Sequence, residues 1–240
     1  MVVRRFVPPA LLAALLITGC NLDDLALGTA RPSARVRFMN ASRGSPPLTL
    51  FLNEQPVAAG LAYGDVSAYV MLEARLYTIR MSTTADGDES GTESLVSGTF
   101  HPIAGVTYTL FAAGPDGALQ AMLSVDTGAV PATGLAKVRA INAAPLAPPI
   151  DVHLVASDRS PDASTRLLHP FTFGAGATYN MPGYVEREPG SYRLVVTLEG
   201  TTEPLLDVSP IDLAAGQART MVVLDADGGG VVARVVADRN

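Results

Sequence analysis

The sequence predicts an all-β chain built as two tandem antiparallel β-sandwiches, and three observations carry this. Residues 34–52, ARVRFMNASRGSPPLTLFL, are answered by residues 136–154, AKVRAINAAPLAPPIDVHL, at a constant offset of 136 − 34 = 102. A gapless match of that length, with an Asn-Ala and a Pro-Pro pair inside it, marks a duplicated unit. Apolar residues alternate with polar ones in short runs, which is the period of a strand. The chain carries 22 Gly and 18 Pro in 240 residues, a supply of turns rather than of long helices. An apolar fraction of 48% is enough for two ordinary cores.

The first 19 residues read as a secretory signal peptide. Arg4 and Arg5 precede an apolar run from Phe6 to Ile17 that is too short to span a membrane comfortably, and Thr18-Gly19-Cys20 follows. Ile17-Thr18-Gly19-Cys20 resembles the bacterial lipobox, whose cysteine is lipidated and becomes the first mature residue. Cys20 is the only cysteine, so the expected modification is a lipid rather than a disulfide. A multiply acylated cysteine holds a protein stably at a bilayer, because each buried methylene contributes about 0.8 kcal/mol. The expected location is therefore the cell envelope, on a membrane reached through the N-terminal lipid. Asn21, in place of an aspartate after the cysteine, points to the outer membrane. Residues 20–33 make the lipidated cysteine and a short spacer.

The first domain is expected over residues 34–126. In Arg35-Val36-Arg37-Phe38 the alternation turns Val36 and Phe38 inward and Arg35 and Arg37 outward. Leu48, Leu50 and Leu52 make a second strand, and Asn53-Glu54-Gln55-Pro56 a turn. Further strands are predicted at 57–63, 68–72, 76–82, 95–100, 107–113 and 119–125. About eight short strands in such a length suit a β-sandwich. The polar loop 83–91 carries Asp86, Asp88 and Glu89 but lacks the ligand ladder of a calcium motif, and reads as a solvated loop.

Residues 127–135 form a linker short enough to keep the two domains neighbours. The second domain, residues 136–240, repeats the pattern: Ile150, Val152 and Leu154 face inward, leaving Asp151 and His153 outward. Its loops differ from those of the first copy, and loops are where function diverges on a kept scaffold. Tyr77 and Tyr192 occupy corresponding strands, and Gly190-Ser191-Tyr192 is similar to the tyrosine corner of immunoglobulin-like sandwiches. The first copy has Arg75 where that glycine would be. Asp116-Gly117 and Asp227-Gly228 recur between apolar runs at an offset of 227 − 116 = 111, as hairpin tips.

VRFMNAS, PPLTLFLNEQPVAAGLAYGDVSAY and LYTI together resemble the bacterial family known as domain of unknown function 4397. Its members show an Asn- or His-Ala-Ser after the first strand, a Pro-containing turn, a hairpin ending in Asp- or Asn-Gly, and a Leu-x-x-Gly-x-Tyr corner. Glu54 stands where the hairpin glycine is usual. The second copy keeps Asn142-Ala143, Pro148-Pro149 and Gly190-Ser191-Tyr192 but lacks the GLAYGD segment of Gly60 to Asp65. The resemblance implies exported, often lipid-anchored proteins with an immunoglobulin-like sandwich, and transfers no catalytic residue.

The remaining chemistry is sparse. The net charge of −6 becomes −6 − 2 = −8 without Arg4 and Arg5, and no basic tract is present, so nucleic acid is not an expected partner. His101 and His169 each precede a proline, and no histidine has a second His or Cys at ligand spacing. Neither a Gly-x-Ser-x-Gly elbow nor a phosphate loop occurs. No catalytic residue, metal or cofactor is assigned. Asn40 and Asn142 are expected to cap backbone groups where each first strand turns. Tyr63, Tyr69, Phe51, Arg35 and Arg37 form a candidate protein- or glycan-facing patch. The expected function is a non-catalytic envelope module for binding, adhesion or assembly with a protein or glycan partner. The alternatives are an accessory carbohydrate- or small-ligand-binding lipoprotein and a cryptic hydrolase.

Overall fold

A computed structural model of the chain describes residues 31–83, 94–114, 118–126, 128–168, 173 and 183–239. The signal peptide, Cys20, most of the spacer, Asp86, Asp88, Glu89, the Asp116-Gly117 turn and His169 lie outside the described residues. Pro32–Asn240 gathers into one compact unit.

The first half forms β1 (Ser33–Ala41), β2 (Leu48–Leu52), β3 (Gln55–Leu61), β4 (Val70–Glu73), β5 (Tyr77–Ser82), β6 (Ser94–Phe100), β7 (Thr107–Ala113) and β8 (Gln120–Val125). The second half forms β9 (Ala136–Asn142), β10 (Ile150–Ala156), β11 (Arg166–Leu168), β12 (Val185–Arg187), β13 (Gly190–Leu198), β14 (Pro204–Leu213), β15 (Ala218–Asp225) and β16 (Val231–Arg239). No helix occurs among the described residues. The sheets of the first sandwich run β4-β1-β7-β8 and β3-β2-β5-β6; those of the second run β12-β9-β15-β16 and β11-β10-β13-β14. Each strand of the second half thus takes the place of the strand eight earlier.

The sheets are not purely antiparallel. β1 pairs with β7, and β9 with β15, in parallel. The chain crosses to the other sheet directly after β1, so that strand meets its sheet neighbour only after a long excursion, which leaves a parallel pairing open to it. β11, β12 and β14 have no counterpart in the sequence reading. The first two are three residues long, and β14 carries Pro204 and Pro210, which suit an edge strand rather than a central one.

Each sandwich closes over its own core. Val36, Phe38, Leu50, Met81 and Leu110 pack together in the first, and Val138, Val152, Leu154, Val196 and Met221 in the second. Full burial of such a side chain contributes roughly 1.5–3 kcal/mol. The turn between β2 and β3 is tight: Asn53 and Glu54 both hold positive φ, 49° and 61°. Two such residues define the hairpin turn that matches strand twist. Asn53 Oδ1 accepts the Thr78 N–H at 2.9 Å, and Glu54 pairs with Arg80 at 2.9 Å, which helps hold the strained glutamate.

A third apolar cluster joins the sandwiches. Met39, Phe111 and Met122 from the sheet containing β1 meet Ile141, Val222 and Leu224 from the sheet containing β9. These residues lie on the opposite faces of their strands from the two cores. Both central sheets are therefore buried on both faces, which explains the unbroken burial along β1 after Arg35.

This contact corrects one expectation. Arg35 is exposed as predicted, but Arg37 is buried, at 4% exposure, and its counterpart Arg139 is at 1%. The alternation placed Arg37 on the face away from its own core, and that face is covered by the other sandwich. A second correction concerns Asp151 and His153. Both point away from the core, yet both are buried, at 1% and 3%.

Candidate functional site

Two places gather polar side chains around the contact between the sandwiches. At its centre lies a reciprocal network. Arg37 Nε donates to Thr109 Oγ1 at 2.8 Å, and its terminal nitrogens cross to the second sandwich, to the Ala237 carbonyl at 2.7 Å and to Asp238. Arg139 does the same in reverse. Its Nε donates to Thr220 Oγ1 at 2.8 Å, and its terminal nitrogens reach the Val125 carbonyl at 2.9 Å and Asp126. Thr109 donates to Asp126 at 2.6 Å and Thr220 to Asp238 at 2.7 Å. The pairs recur at 139 − 37 = 102, 220 − 109 = 111 and 238 − 126 = 112. Such an exchange of equivalent contacts is the pattern of a twofold interface, here within one chain.

Aromatic rings cover both guanidiniums. Tyr69 lies 4.6 Å from Arg37 and Tyr184 lies 4.5 Å from Arg139, each immediately before the edge strand of its sheet. The Tyr69 hydroxyl also donates to Asp126 at 2.8 Å. Burial pushes the Tyr69 phenol above its ordinary value, and the Asp126 carboxylate raises it further. Burial works against the charge of Arg139, but Asp126, Tyr184 and Asp238 together outweigh it and the guanidinium is held more firmly protonated. Every charge in the network is answered by an opposite charge and by neutral hydrogen bonds, the condition under which a buried pair is tolerable.

At the periphery, the Gly60 to Asp65 loop of the first sandwich meets the β15–β16 hairpin of the second and leaves an open cleft of about 320 Å³. Tyr63 and Gly64 form one wall; Asp225, Asp227, Val232 and Arg234 lie on the other. The Tyr63 hydroxyl donates to the Asp225 carbonyl at 2.7 Å, and Arg43 donates to the Ala226 carbonyl at 2.8 Å while lying 3.6 Å from the Asp227 carboxylate. Gly64 has φ +82°, and a Cβ there would stand 2.9 Å from Arg234 Nε. A bare Cα is what lets the guanidinium lie against this loop. The Asp225 carboxylate is buried and accepts the Leu146 N–H at 3.2 Å. Burial raises its pKa above the usual carboxylate range.

The residues singled out in the sequence fall in separate places. Asn40 Oδ1 accepts the Ser42 N–H and Asn142 Oδ1 the Ala144 N–H, each at 3.0 Å. Asn40 Nδ2 also donates to the Leu61 carbonyl at 2.9 Å. Tyr192 donates to the Glu188 carbonyl at 2.7 Å, tying β13 to the residues before it, whereas Tyr77 carries the Arg75 guanidinium over its ring at 4.5 Å. Cys20 lies outside the described residues. The five-residue patch is divided among three settings. Arg35, Arg37 and Tyr69 meet at the central network, Tyr63 lines the cleft, and Phe51 lies under Arg80 at 3.9 Å on the outer sheet.

Asp151 and His153 belong to the outer sheet of the second sandwich. Asp151 lies 3.3 Å from Arg166 and accepts the Gly200 N–H at 3.0 Å. His153 Nδ1 lies 3.1 Å from Thr165 Oγ1, and that hydroxyl lies 2.9 Å from the Asp162 carbonyl. Burial lowers the His153 pKa, more strongly than Asp151 raises it. Among the described residues, no group of three or more His, Cys, Asp or Glu side chains converges as a metal site.

Sequence reasoning missed Asp126, Asp238, Thr109, Thr220 and Tyr184. The available signal was polar residues retained in both copies inside otherwise apolar strands, with Arg37 and Arg139 already in register.

Two four-stranded sheets per half, joined face to face through a reciprocal network, define a tandem β-sandwich protein. The family model described as domain of unknown function (DUF4397) matches residues 34–153, and the chain belongs to that family. The match spans the first sandwich and the opening strands of the second. Comparison with curated proteins yields no match.

Proposed function

We propose that the chain is a lipid-anchored, non-catalytic module of the bacterial cell envelope, tethered through Cys20, in which both sandwiches are copies of the family's domain. The function is binding, adhesion or assembly with a protein or glycan partner, probed from a rigid double scaffold. The observation that carries this reading is the reciprocal Arg37–Asp238 and Arg139–Asp126 pairing. Two sandwiches locked at their centre present their outer loops at fixed spacing, which lowers the entropic cost of engaging a partner at both ends. The leader and its terminal cysteine supply the anchor.

Cys20→Ser is expected to release the protein from membranes and abolish palmitate labelling. A variant that stays labelled and sediments with membranes overturns the anchor. Cross-linking in intact envelopes is expected to recover a defined partner. Turnover in a broad hydrolase screen that a single polar substitution abolishes would overturn the non-catalytic part of the reading.

A further inference from the structure

The cleft between the Gly60 to Asp65 loop and the β15–β16 hairpin belongs to neither core, and its position differs in kind from the central network. The network exchanges equivalent residues. The cleft is built from a segment that the second copy lacks, so it answers a need outside the duplicated scaffold. Its size, about 320 Å³, lies at the small end of ligand pockets, which span about 300–1,000 Å³.

The charges around the cleft select its ligand. Asp225, Asp227 and Arg234 line it, the Arg234 guanidinium lies against Gly64, and Arg43 stands 3.6 Å from the Asp227 carboxylate. Asp225 is buried, so the exposed charges of the cleft are the Asp227 carboxylate and the Arg234 guanidinium, one of each sign. An anionic ligand meets the carboxylate, a cationic one meets the guanidinium, and a purely apolar one leaves both desolvated without partners. A neutral, hydroxyl-rich ring avoids all three penalties. Its hydroxyls would donate to Asp227 and accept from Arg234, while its C–H surface would pack on Val232 and Tyr63. Tyr63 is prepositioned for this by its bond to the Asp225 carbonyl.

We infer that this cleft binds a neutral sugar residue, as a free saccharide or as the terminal unit of a neutral glycan. The inference rests on the glycan-partner part of the proposed function and deepens it, but it does not depend on the anchor, since it concerns a site on the folded body.

The test uses the full-length chain with glucose, galactose, N-acetylglucosamine, cellobiose, lactose and chitobiose, read by saturation-transfer NMR and calorimetry. Glucuronate and glucosamine serve as charged analogues. At least one neutral saccharide is expected to bind at least about tenfold tighter than its charged analogue. Arg234→Ala and Asp227→Ala, both on exposed side chains, are each expected to weaken that binding about tenfold without lowering the melting temperature. The inference is overturned if no saccharide gives a signal at about 10 mM, if the charged analogues bind as well as the neutral ones, or if both variants keep full affinity. Membrane partition and partner cross-linking are read separately, so failure here is distinct from failure of the envelope reading.

Discussion

The outer sheet of the first sandwich places Thr49 and Phe51 on β2 and Ser82 on β5; the same positions of the second sandwich hold Asp151, His153 and Thr197. One face is organised by Arg80 over Phe51 and Glu54, the other by Arg166 beside Asp151 and by Thr165 on His153. The central sheets behave differently. There Arg37, Thr109 and Tyr69 are repeated type for type by Arg139, Thr220 and Tyr184, and Asp126 by Asp238. The contrast has a physical cause. The arginines and aspartates of the reciprocal network have partners in both sandwiches, so changing one strands several buried groups at once. A side chain on an outer sheet answers only to its own neighbours, and it has room to change.

The strongest way to break this comparison is to remove an acceptor from the network. Asp126→Ala leaves Arg139, Thr109 and Tyr69 without their shared carboxylate, and it is expected to cost about 3–5 kcal/mol in urea denaturation. Asp238 serves Arg37 and Thr220, and Asp238→Ala is expected to fall at the lower end of that range, since Tyr184, the counterpart of Tyr69, donates no hydrogen bond to it. A negligible loss for either variant would mean that the charges are dispensable and that the apolar cluster around Met39 and Ile141 holds the sandwiches alone.

A smaller difference separates the two tyrosines. Tyr192→Phe loses the bond to the Glu188 carbonyl and is expected to lower stability by about 1 kcal/mol. Tyr77→Phe keeps its ring beneath Arg75, so its thermal midpoint is expected to move much less. Equal shifts would remove the distinction between the two corners.

The smallest effect sharpens the outer-sheet contrast. Burial holds the His153 pKa below its ordinary value, so the unfolded chain takes up a proton that the folded chain resists. Stability contributed by the neutral ring is present above the ordinary histidine pKa and is lost as pH falls from there towards the lowered value. His153→Gln is expected to flatten the stability profile across that window. An unchanged acid slope would show that His153 does not set it.

Much of the architecture was legible along the chain. Period-two runs located most strands within two residues, and the offset of 102 paired the two halves before any fold was known. Asn40 and Asn142 were legible as caps because an asparagine before a turn has a local partner within reach. The Asn53-Glu54 turn was marked by position rather than by the usual glycine. The cleft was half legible: the GLAYGD segment stood out as unshared, but nothing along the chain said that it faces a hairpin more than 150 residues away, as Tyr63 faces Asp225 at 225 − 63 = 162.

By itself the sequence determined the all-β class and the inward residues of the strands it located, because these depend on local alternation. Only the tertiary structure decided what covers the other face. Alternation says that Arg37 shares a side of β1 with Arg35 and Met39; it does not say whether that side meets water or a second sandwich. For Arg35 it meets solvent, and for Arg37, one pleat further along, it meets Asp238. The reason lies in range: a strand's period is set by the backbone of neighbouring residues, whereas burial of its outer face depends on surfaces brought together from opposite ends of the chain.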